Sequence, residues 1–271
     1  MPIAPSARVH PTAIVSTEAE LADDVVVGPY AVIEGPVRVG PGCVLRPHAQ
    51  LVGPLTMGRD NVVFSGAVLG ERPQHFKYND EPTGVEIGDG NVFREHVTVH
   101  RGTAHAGATR IGHRNYFMVG CHVAHDCRIG DRCILANSAL LAGHCVLEDG
   151  AYLSGNTSVH QFVRIGRLAL LSGNSATSKD IPPFIIQQGF DSVGGVNVVG
   201  MRRAGLSAAQ VNAVRRAFHL IFRGGLVLGR ALERVEQELG EVDVVRELVD
   251  FIRQAPRGIN VMRHRGLGEA A

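Results

Sequence analysis

Residues 117–164 read FMVGCH VAHDCR IGDRCI LANSAL LAGHCV LEDGAY LSGNTS VHQFVR when they are written in groups of six. Every group begins with an apolar residue, and the phase continues in both directions. Counting every sixth residue from Val9 to Leu171 gives 28 positions, and 25 of them hold Val, Ile, Leu, Met or Phe. Neither an α-helix nor a plain β-strand has a period of six, whereas a hexapeptide β-helix does. The pattern therefore predicts a solenoid of parallel strands over most of the chain.

A second inward-facing position lies two residues before each apolar one, because side chains two apart share one face of a strand. All five cysteines occupy this position, namely Cys43, Cys121, Cys127, Cys133 and Cys145. Their odd number and the lack of a C-x-x-C motif favour buried thiols over disulfides or metal ligands. Three hexads make one triangular coil, so residues three hexads apart should stack at the spacing of neighbouring strands. The repeat predicts about nine coils.

Two insertions interrupt the repeat. Only His75, Glu81 and His105 break the apolar series, which places one loop at about residues 71–84 and another at about 102–109. The first loop is rich in His, Lys, Tyr and acidic residues. A regular solenoid that tolerates such a loop is expected to use it for function.

The repeat fades beyond Leu171. We predict a β-helix domain over residues 1–189 and a C-terminal helical domain over 190–271, with residues 180–206 as a connector. Ser207 and Gln210 have the spacing of a capping box at the start of a helix. Two further helices are expected at about 226–239 and 243–254, and residues 259–271 are expected to be frayed.

Charge and hydropathy exclude several classes of protein. The chain has 27 Lys and Arg against 26 Asp and Glu, a net charge of +1, which argues against nucleic acid as a partner. No apolar run approaches the ~18 residues of a membrane helix, so stable membrane insertion is not expected. The N-terminus lacks the apolar segment of a signal peptide. These features predict a cytoplasmic protein.

The histidines are the candidate catalytic groups. Six of the 13 lie at or near corners or on the outer face, and none of these six is inward-facing: His100, His113, His122, His125, His144 and His160. His125 precedes Asp126, an orienting partner for a general base. Gly143 occupies the position of His125 one coil later and should stack on it, with an accessible backbone N–H. A base beside such a donor suits acyl transfer, in which an oxyanion must be stabilised. Imidazoles at a subunit boundary can also hold zinc, so the residues alone leave a metal site open as the other option. The favoured acyl-transfer interpretation needs no metal and no cofactor.

Several strings resemble the UDP-N-acetylglucosamine O-acyltransferase family. The resemblance spans nearly the whole chain, and its strings are Val99-His-Arg-Gly102, Cys121-His-Val-Ala-His-Asp-Cys127, Ile134-Leu-Ala-Asn137, Leu141-Ala-Gly-His144 and Val159-His-Gln-Phe162. The hexads alone occur in many acyltransferases, whereas the second and last strings are much more specific.

The resemblance implies a fold, an assembly and a reaction. The fold is a left-handed parallel β-helix with a C-terminal helical domain, assembled as a homotrimer with sites between subunits. The reaction transfers an (R)-3-hydroxyacyl group from acyl carrier protein to the 3-hydroxyl of UDP-N-acetylglucosamine, the first step of lipid A synthesis. The acidic carrier protein is expected to meet basic side chains of the helical domain.

The resemblance also implies roles for individual residues. His125 is the general base, Asp126 its partner, and the Gly143 N–H binds the thioester oxygen. Gly173 matches the end of the acyl groove, while Asn197 and Arg203 lie near the nucleotide. The remaining implied substrate-site residues are Gln74, His75, Lys77, His100, His122, His144, His160 and Gln161.

Three positions depart from the family pattern and leave alternatives open. His75 replaces a sugar-contacting carboxylate, Val199 a glutamate and Ala204 one of two arginines. A related acyltransferase acting on a 3-amino sugar or another nucleotide is therefore the nearest alternative, and the acyl chain length stays open. A γ-type zinc carbonic anhydrase is less favoured, because its ligand set has two histidines five apart and His122 and His125 are three apart. A non-catalytic carrier-binding solenoid is the third alternative.

Overall fold

The structure is a computed structural model that describes residues 3–261. A parallel β-solenoid of about ten turns is followed by a small group of helices. The strands form three sheets, and neighbours within a sheet come from successive turns. The predicted solenoid is confirmed, with about one turn more than the sequence suggested.

The strands are two to five residues long, as a coil built from six-residue units requires. Sheet one contains β1 (Arg8–Val9), β4 (Val26–Val27), β7 (Val44–Leu45), β10 (Val62–Val63), β13 (Val92–Phe93), β16 (Tyr116–Phe117), β19 (Ile134–Leu135), β22 (Tyr152–Leu153), β25 (Leu170–Leu171), β27 (Ile185–Gln188) and β28 (Ser192–Val196). Sheet two contains β2 (Ile14–Val15), β5 (Val32–Glu34), β8 (Gln50–Val52), β11 (Val68–Glu71), β14 (Thr98–His100), β17 (His122–Val123), β20 (Leu140–Leu141), β23 (Ser158–Val159) and β26 (Ala176–Thr177). Sheet three contains β3 (Glu20–Leu21), β6 (Val37–Val39), β9 (Leu55–Met57), β12 (Gly84–Ile87), β15 (Ala108–Ile111), β18 (Arg128–Ile129), β21 (Val146–Leu147) and β24 (Arg164–Ile165).

The core consists of the two inward positions of each hexad. Leu135 and Leu153 are fully buried on neighbouring strands and pair in register, one coil apart. The five cysteines are buried free thiols in the same core, as predicted. Burial raises the pKa of the Cys121 thiol to about 11, so this thiol stays protonated at neutral pH.

The two loops leave the six-residue phase intact. Val62 pairs with Val44 on one side, at the usual step of three hexads, and with Val92 on the other. The step from Val62 to Val92 is two hexads longer than usual, and the step from Val92 to its next partner, Tyr116, is one hexad longer. This is why the repeat can be counted through both loops in the sequence. The loops themselves lie between Glu71 and Gly84 and between His100 and Ala108.

Residues 180–206 are not a plain connector, which corrects the prediction. β27 extends sheet one by pairing with β25, and β28 returns antiparallel to it. Gly189 adopts φ +63° between the two strands, in the left-handed region where glycine carries no steric penalty. The predicted domain boundary between residues 189 and 190 lies in the turn of this hairpin. A short helix, α1 (Val198–Arg203), follows.

Three longer helices follow: α2 (Ala208–Phe222), α3 (Leu228–Leu239) and α4 (Asp243–Arg253). The predicted capping box is present, because Ser207 Oγ accepts from Gln210 N and Gln210 Oε1 accepts from Ser207 N. Arg167 on the solenoid donates two hydrogen bonds, of 2.8 and 2.7 Å, to Glu247 on α4. The helices therefore pack against the end of the solenoid. Among the described residues, no helix is long and apolar enough to cross a membrane.

Residues 259–261 are ordered against the solenoid, contrary to the expected fraying. Ile259 bridges to Asp180 and Val261 bridges to Ser192. Asn260 is 1% exposed and donates to Thr177 Oγ1 at 3.0 Å. Backbone pairing to the last turns holds this segment, a contact that local sequence does not signal. The rest of the segment expected to fray, residues 262–271, lies outside the described residues.

Candidate active site

The predicted catalytic residues occupy one corner of two successive coils. Asp126 and His144 both adopt φ +62°, a left-handed conformation that Asp and His enter more readily than most residues. The backbone N–H of His144 donates to the carbonyl of His125 at 3.0 Å, which ties the two coils together. The corner geometry thus places residues 125 and 126 directly beside residues 143 and 144.

His125 and Asp126 form a hydrogen-bonded pair. Nδ1 of His125 lies 2.7 Å from Oδ2 of Asp126. Burial tends to raise the pKa of Asp126, but hydrogen bonds from His125 and from Thr103 outweigh it and lower the pKa to about 2. The carboxylate is therefore ionised at neutral pH and holds the proton on Nδ1. The lone pair of His125 Nε2 is left free to act as a base.

Gly143 lies against the imidazole of His125, as the coil spacing predicts. A Cβ added at Gly143 would be 2.6 Å from Cε1 and 2.8 Å from Nε2 of His125. Only a glycine permits this approach, because real Cβ atoms do not come within 3.0 Å of such neighbours. Within the described part of the chain, the Gly143 N–H has no hydrogen-bond acceptor. This donor is available to a ligand beside the base.

Further aromatic rings surround the pair. His75, from the first loop, and His144 each approach His125 edge-on, with ring centroids 5.1 Å apart. His105, from the second loop, approaches His144 in the same way, and Phe162 stacks on His144 at 4.5 Å. Burial lowers the pKa of His144. A neutral His144 places no positive charge beside His125.

A second imidazole pair lies on the same face of sheet two. The rings of His100 and His122 are 4.7 Å apart, and Nδ1 of His122 is 2.8 Å from Thr98 Oγ1. Burial, together with the neighbouring imidazoles of His100 and His125, lowers the pKa of His122 to about 4. Burial lowers the pKa of His100 as well. Its Nδ1 is buried without a partner among the residues described.

An open groove of about 440 Å³ passes over His125. It brings together Gln74, His122, His125, Gly143 and Gln161 of the predicted site. The apolar part of its wall is formed by Ala124, Leu140, Leu141, Ala142 and Val159. The groove therefore joins a base and a backbone donor to an apolar surface.

The other predicted residues lie outside this groove in the single chain. Lys77 and His160 are exposed, and Nδ1 of His160 is 3.2 Å from the carbonyl oxygen of Gln161. Gly173 lies two residues beyond β25, also exposed. Arg203 is exposed in the last turn of α1. Asn197 is buried at the start of α1, where it accepts from Gly200 N and donates to Leu168 O.

The histidines face out of the solenoid core, but they are not all surface residues. His125 is 9% exposed and His100 is 7% exposed. The loops cover the His125–Asp126 pair, since Thr103 contacts the carboxylate of Asp126 and His75 contacts the ring of His125, whereas His100 packs against His122. The repeat predicts which way these side chains point, but it carries no information about what lies over them.

The same corner holds three potential metal ligands. Ligand atoms of His125, Asp126 and His144 lie within 4.8 Å of one another. The closest two, Nδ1 of His125 and Oδ2 of Asp126, are at the hydrogen-bond distance of 2.7 Å. Two ligands of a tetrahedral zinc, with bonds of about 2.0–2.1 Å, lie about 3.3 Å apart. Nδ1 of His125 and Oδ2 of Asp126 therefore have the spacing of a hydrogen bond, which is too short for two ligands of one zinc ion.

Three contacts of the site were not predicted from sequence. Thr103 binds both carboxylate oxygens of Asp126, Thr109 accepts from the Asp126 N–H, and Phe162 stacks on His144. The two threonines belong to the second loop and its following strand. The sequence marks this loop as functional, but no residue spacing connects Thr103 with Asp126.

The comparisons with known proteins agree with this fold. The family model for domain 2 of UDP-N-acetylglucosamine O-acyltransferase matches residues 180–260, and the bacterial transferase hexapeptide model matches residues 18–53 and 108–143. An acyl-[acyl-carrier-protein]–UDP-N-acetylglucosamine O-acyltransferase from Halorhodospira halophila is 49% identical over 93% of this chain and 98% of its own. The corresponding protein of Thiobacillus denitrificans is 46% identical over 93% and 99%. The solved UDP-N-acetylglucosamine acyltransferase of Bacteroides fragilis superposes with a TM-score of 0.86 at 38% identity, covering 94% of this chain and 98% of that one.

The hexapeptide solenoid and these matches together define a hexapeptide-repeat acyltransferase. The fold is a left-handed parallel β-helix with a C-terminal helical domain. Within that class, the chain belongs to the family of acyl-[acyl-carrier-protein]–UDP-N-acetylglucosamine O-acyltransferases. This membership favours neither the amino-sugar enzyme nor the carbonic anhydrase considered above.

Proposed function

We propose that this chain transfers an (R)-3-hydroxyacyl group from acyl carrier protein to the 3-hydroxyl of UDP-N-acetylglucosamine, the first step of lipid A synthesis. The observation that carries the proposal is the contact between the His125–Asp126 pair and Gly143. The family relatives are named for the same carrier and the same sugar nucleotide.

His125 acts as the general base in this reaction. Its Nε2 accepts the proton of the sugar 3-hydroxyl while that oxygen attacks the thioester carbonyl carbon. Negative charge develops on the thioester oxygen and is stabilised by the N–H of Gly143. Asp126 stabilises the imidazolium. The tetrahedral intermediate then expels the carrier's thiolate, which takes the proton from the imidazolium and leaves as a thiol.

The remaining side chains bind the two substrates. Gln74, His75, Lys77, His122, His144, His160 and Gln161 are proposed to contact the sugar nucleotide or the acyl group. His100 offers a buried ring nitrogen that lacks a partner within the described chain. Arg203 supplies an exposed positive charge for the nucleotide's phosphates. The Asn197 side chain already hydrogen-bonds Leu168 O and caps α1 at Gly200 N. A contact with the nucleotide would be an additional role for this residue.

The carrier protein is proposed to dock on the helical domain. A groove of about 460 Å³ beside α2 is lined by Arg215, Arg216, His219 and Arg223. An acidic carrier would be attracted to these side chains, and the association would weaken as salt is raised.

A panel of substrates tests the proposed reaction. The purified chain is incubated with 3-hydroxyacyl carrier proteins of increasing chain length and with UDP-N-acetylglucosamine or its 3-amino analogue. We expect an ester product from the natural sugar nucleotide with at least one carrier. Transfer only to the amino analogue would identify the alternative acyltransferase, and no transfer with any pair would contradict the proposed function.

A homotrimer is proposed as the assembly. The groove at His125 is open in the single chain, and Leu140 and Phe162 expose apolar surface near it, at 43% and 46%. The solenoid of a neighbouring subunit can close the open side of this groove, and most homo-oligomers have closed symmetry. Light scattering at micromolar concentration should give three times the chain mass of 29.0 kDa. A monomeric mass would contradict the proposal.

Gly173 is proposed to limit the length of the acyl groove. Its φ lies outside the left-handed region, and an added Cβ would be 3.6 Å from the carbonyl oxygen of Gly155, an ordinary contact. A side chain at this position is therefore tolerated, which argues against a glycine kept only for a strained turn. Gly173→Met should shorten the preferred acyl chain, because the new side chain fills the volume of several methylenes, each contributing ~0.8 kcal/mol when buried.

The measurement is kcat/KM for short and long 3-hydroxyacyl carrier proteins in both proteins, with a thermal melt of each. We expect the preference to reverse in favour of the shorter chain. A stable variant with an unchanged ratio would place the end of the groove elsewhere.

The cytoplasm is the proposed location. All five cysteines are free and buried in the core of the solenoid. A reducing compartment keeps such thiols in this form.

A further inference from the structure

We infer that Thr103 is a positioning residue for the His125–Asp126 pair, holding the carboxylate of Asp126 so that the imidazole is correctly oriented. The inference rests on the proposed function, because it concerns the same base. The observation behind it is that the second loop folds back over the corner that carries Asp126. Thr103 is 8% exposed in this loop and lies 23 residues before Asp126 along the chain.

Thr103 donates to both oxygens of one carboxylate. Its backbone N–H donates to Oδ1 of Asp126 and its hydroxyl donates to Oδ2, each at 2.8 Å. Two donors from one residue fix the plane of the carboxylate as well as its position. Oδ2 also accepts the Nδ1 proton of His125, so the threonine hydroxyl and the imidazole share one acceptor atom. Rotation of the carboxylate would displace the imidazole.

The loop is built to hold this contact. The N–H of His105 approaches Thr103 Oγ1 at 3.3 Å, so the hydroxyl oxygen accepts from the loop while its proton points to Asp126. The N–H of Gly107 donates to the carbonyl of Thr103 at 2.8 Å and closes the loop. In β15, the strand that follows the loop, Thr109 Oγ1 accepts from the N–H of Asp126 at 2.9 Å. Asp126 is therefore hydrogen-bonded both to the second loop, through Thr103, and to the strand that follows it, through Thr109.

The hydroxyl has an electrostatic role that a purely structural anchor would lack. Among residues 3–261, the titratable groups next to the Asp126 carboxylate are His125, His144, whose Nε2 is 3.6 Å from Oδ2, and the buried thiol of Cys127. Hydrogen bonds from Thr103 help to lower the pKa of Asp126, against its burial. Removing the hydroxyl should raise that pKa and loosen the carboxylate, although Asp126 stays ionised at neutral pH.

The test compares three variants of the full-length chain. Thr103→Val keeps the shape and the backbone donor but removes the hydroxyl, whereas Thr103→Ser keeps both donors. Thr157→Val is the matched control, because Thr157 is fully buried and its hydroxyl donates to the carbonyl of Ser154, away from Asp126. For each protein, kcat, KM and the melting temperature are measured. The carboxyl carbon of Asp126 is titrated by NMR with labelled aspartate, assigned from an Asp126→Asn spectrum.

We expect kcat of Thr103→Val to fall about 10-fold with KM little changed, since only the orientation of the base is affected. Its Asp126 titration should move to higher pH. Thr103→Ser should restore both values, and Thr157→Val should change neither. The NMR titration needs no substrate, so it tests the positioning role even if the proposed transfer reaction fails. An unmoved Asp126 titration in Thr103→Val, or an equal loss of kcat in Thr157→Val, would overturn the inference.

Discussion

Replacement of His125 by alanine should lower kcat by ~10²–10⁴-fold, the usual effect of losing a general base. The imidazole is the group whose free Nε2 faces the groove, while its Nδ1 is committed to Asp126. The side chain lies outside the solenoid core, so its removal opens the groove without creating a cavity among the stacked aliphatic residues. Steady-state rates with a 3-hydroxyacyl carrier protein and UDP-N-acetylglucosamine measure the effect.

The matched control is His10→Ala. His10 is an exposed histidine of an N-terminal coil, and its Nδ1 contacts only the nearby Thr12 among the described side-chain hydrogen bonds. This variant should keep its activity, and both variants should keep the melting temperature and oligomeric mass of the parent. A His125→Ala variant that retains more than about a third of the parent kcat would show that another group is the base.

Gly143→Ala is the second change with a large expected effect. The new Cβ would overlap the imidazole of His125, at 2.6 Å from Cε1 and 2.8 Å from Nε2. The clash involves a side chain and not the backbone, and φ of Gly143 lies outside the left-handed region, so the imidazole should move while the coil persists. A misplacement of about 1 Å at a reacting group can cost ~10²-fold in rate, which is the loss expected in kcat.

Gly229→Ala controls for the loss of a glycine. A Cβ at Gly229, near the start of α3, meets nothing within 4 Å among the described residues. Alanine also favours the helix over glycine, so this variant should be fully active and at least as stable. The measurements are kcat, KM and a thermal melt for each protein. Normal kcat in a folded Gly143→Ala variant would refute the close packing of Gly143 on the base.

The repeat was sufficient to predict the solenoid because each hexad specifies the same local geometry. An apolar residue every six positions and a small one two residues earlier define the inward face wherever they occur. The stacking of Gly143 on His125 could be predicted for the same reason, since every coil in this part of the chain consists of three hexads. The capping box at Ser207 was equally local.

The sequence was less informative about contacts between segments that lie outside the six-residue repeat. The hairpin of β27 and β28 continues sheet one without a hexad pattern, and the segment around Asn260 is held by backbone pairing from a distant part of the chain. By sequence alone these elements resemble a connector and a frayed end, because pairing between distant backbones leaves little trace in local composition.

Spacing and the family resemblance could therefore predict that His125, Asp126 and Gly143, the residues proposed as base, partner and donor, lie together. Their environment depends on the folded loops: the contact of Thr103 with Asp126 and the edge-on approach of His75 to His125 and of His105 to His144. Periodicity constrains residues that share a coil frame, because their separation along the chain fixes their separation in space. A loop has no such frame, so its side chains are placed by hydrogen bonds and packing that exist only once the whole chain has folded.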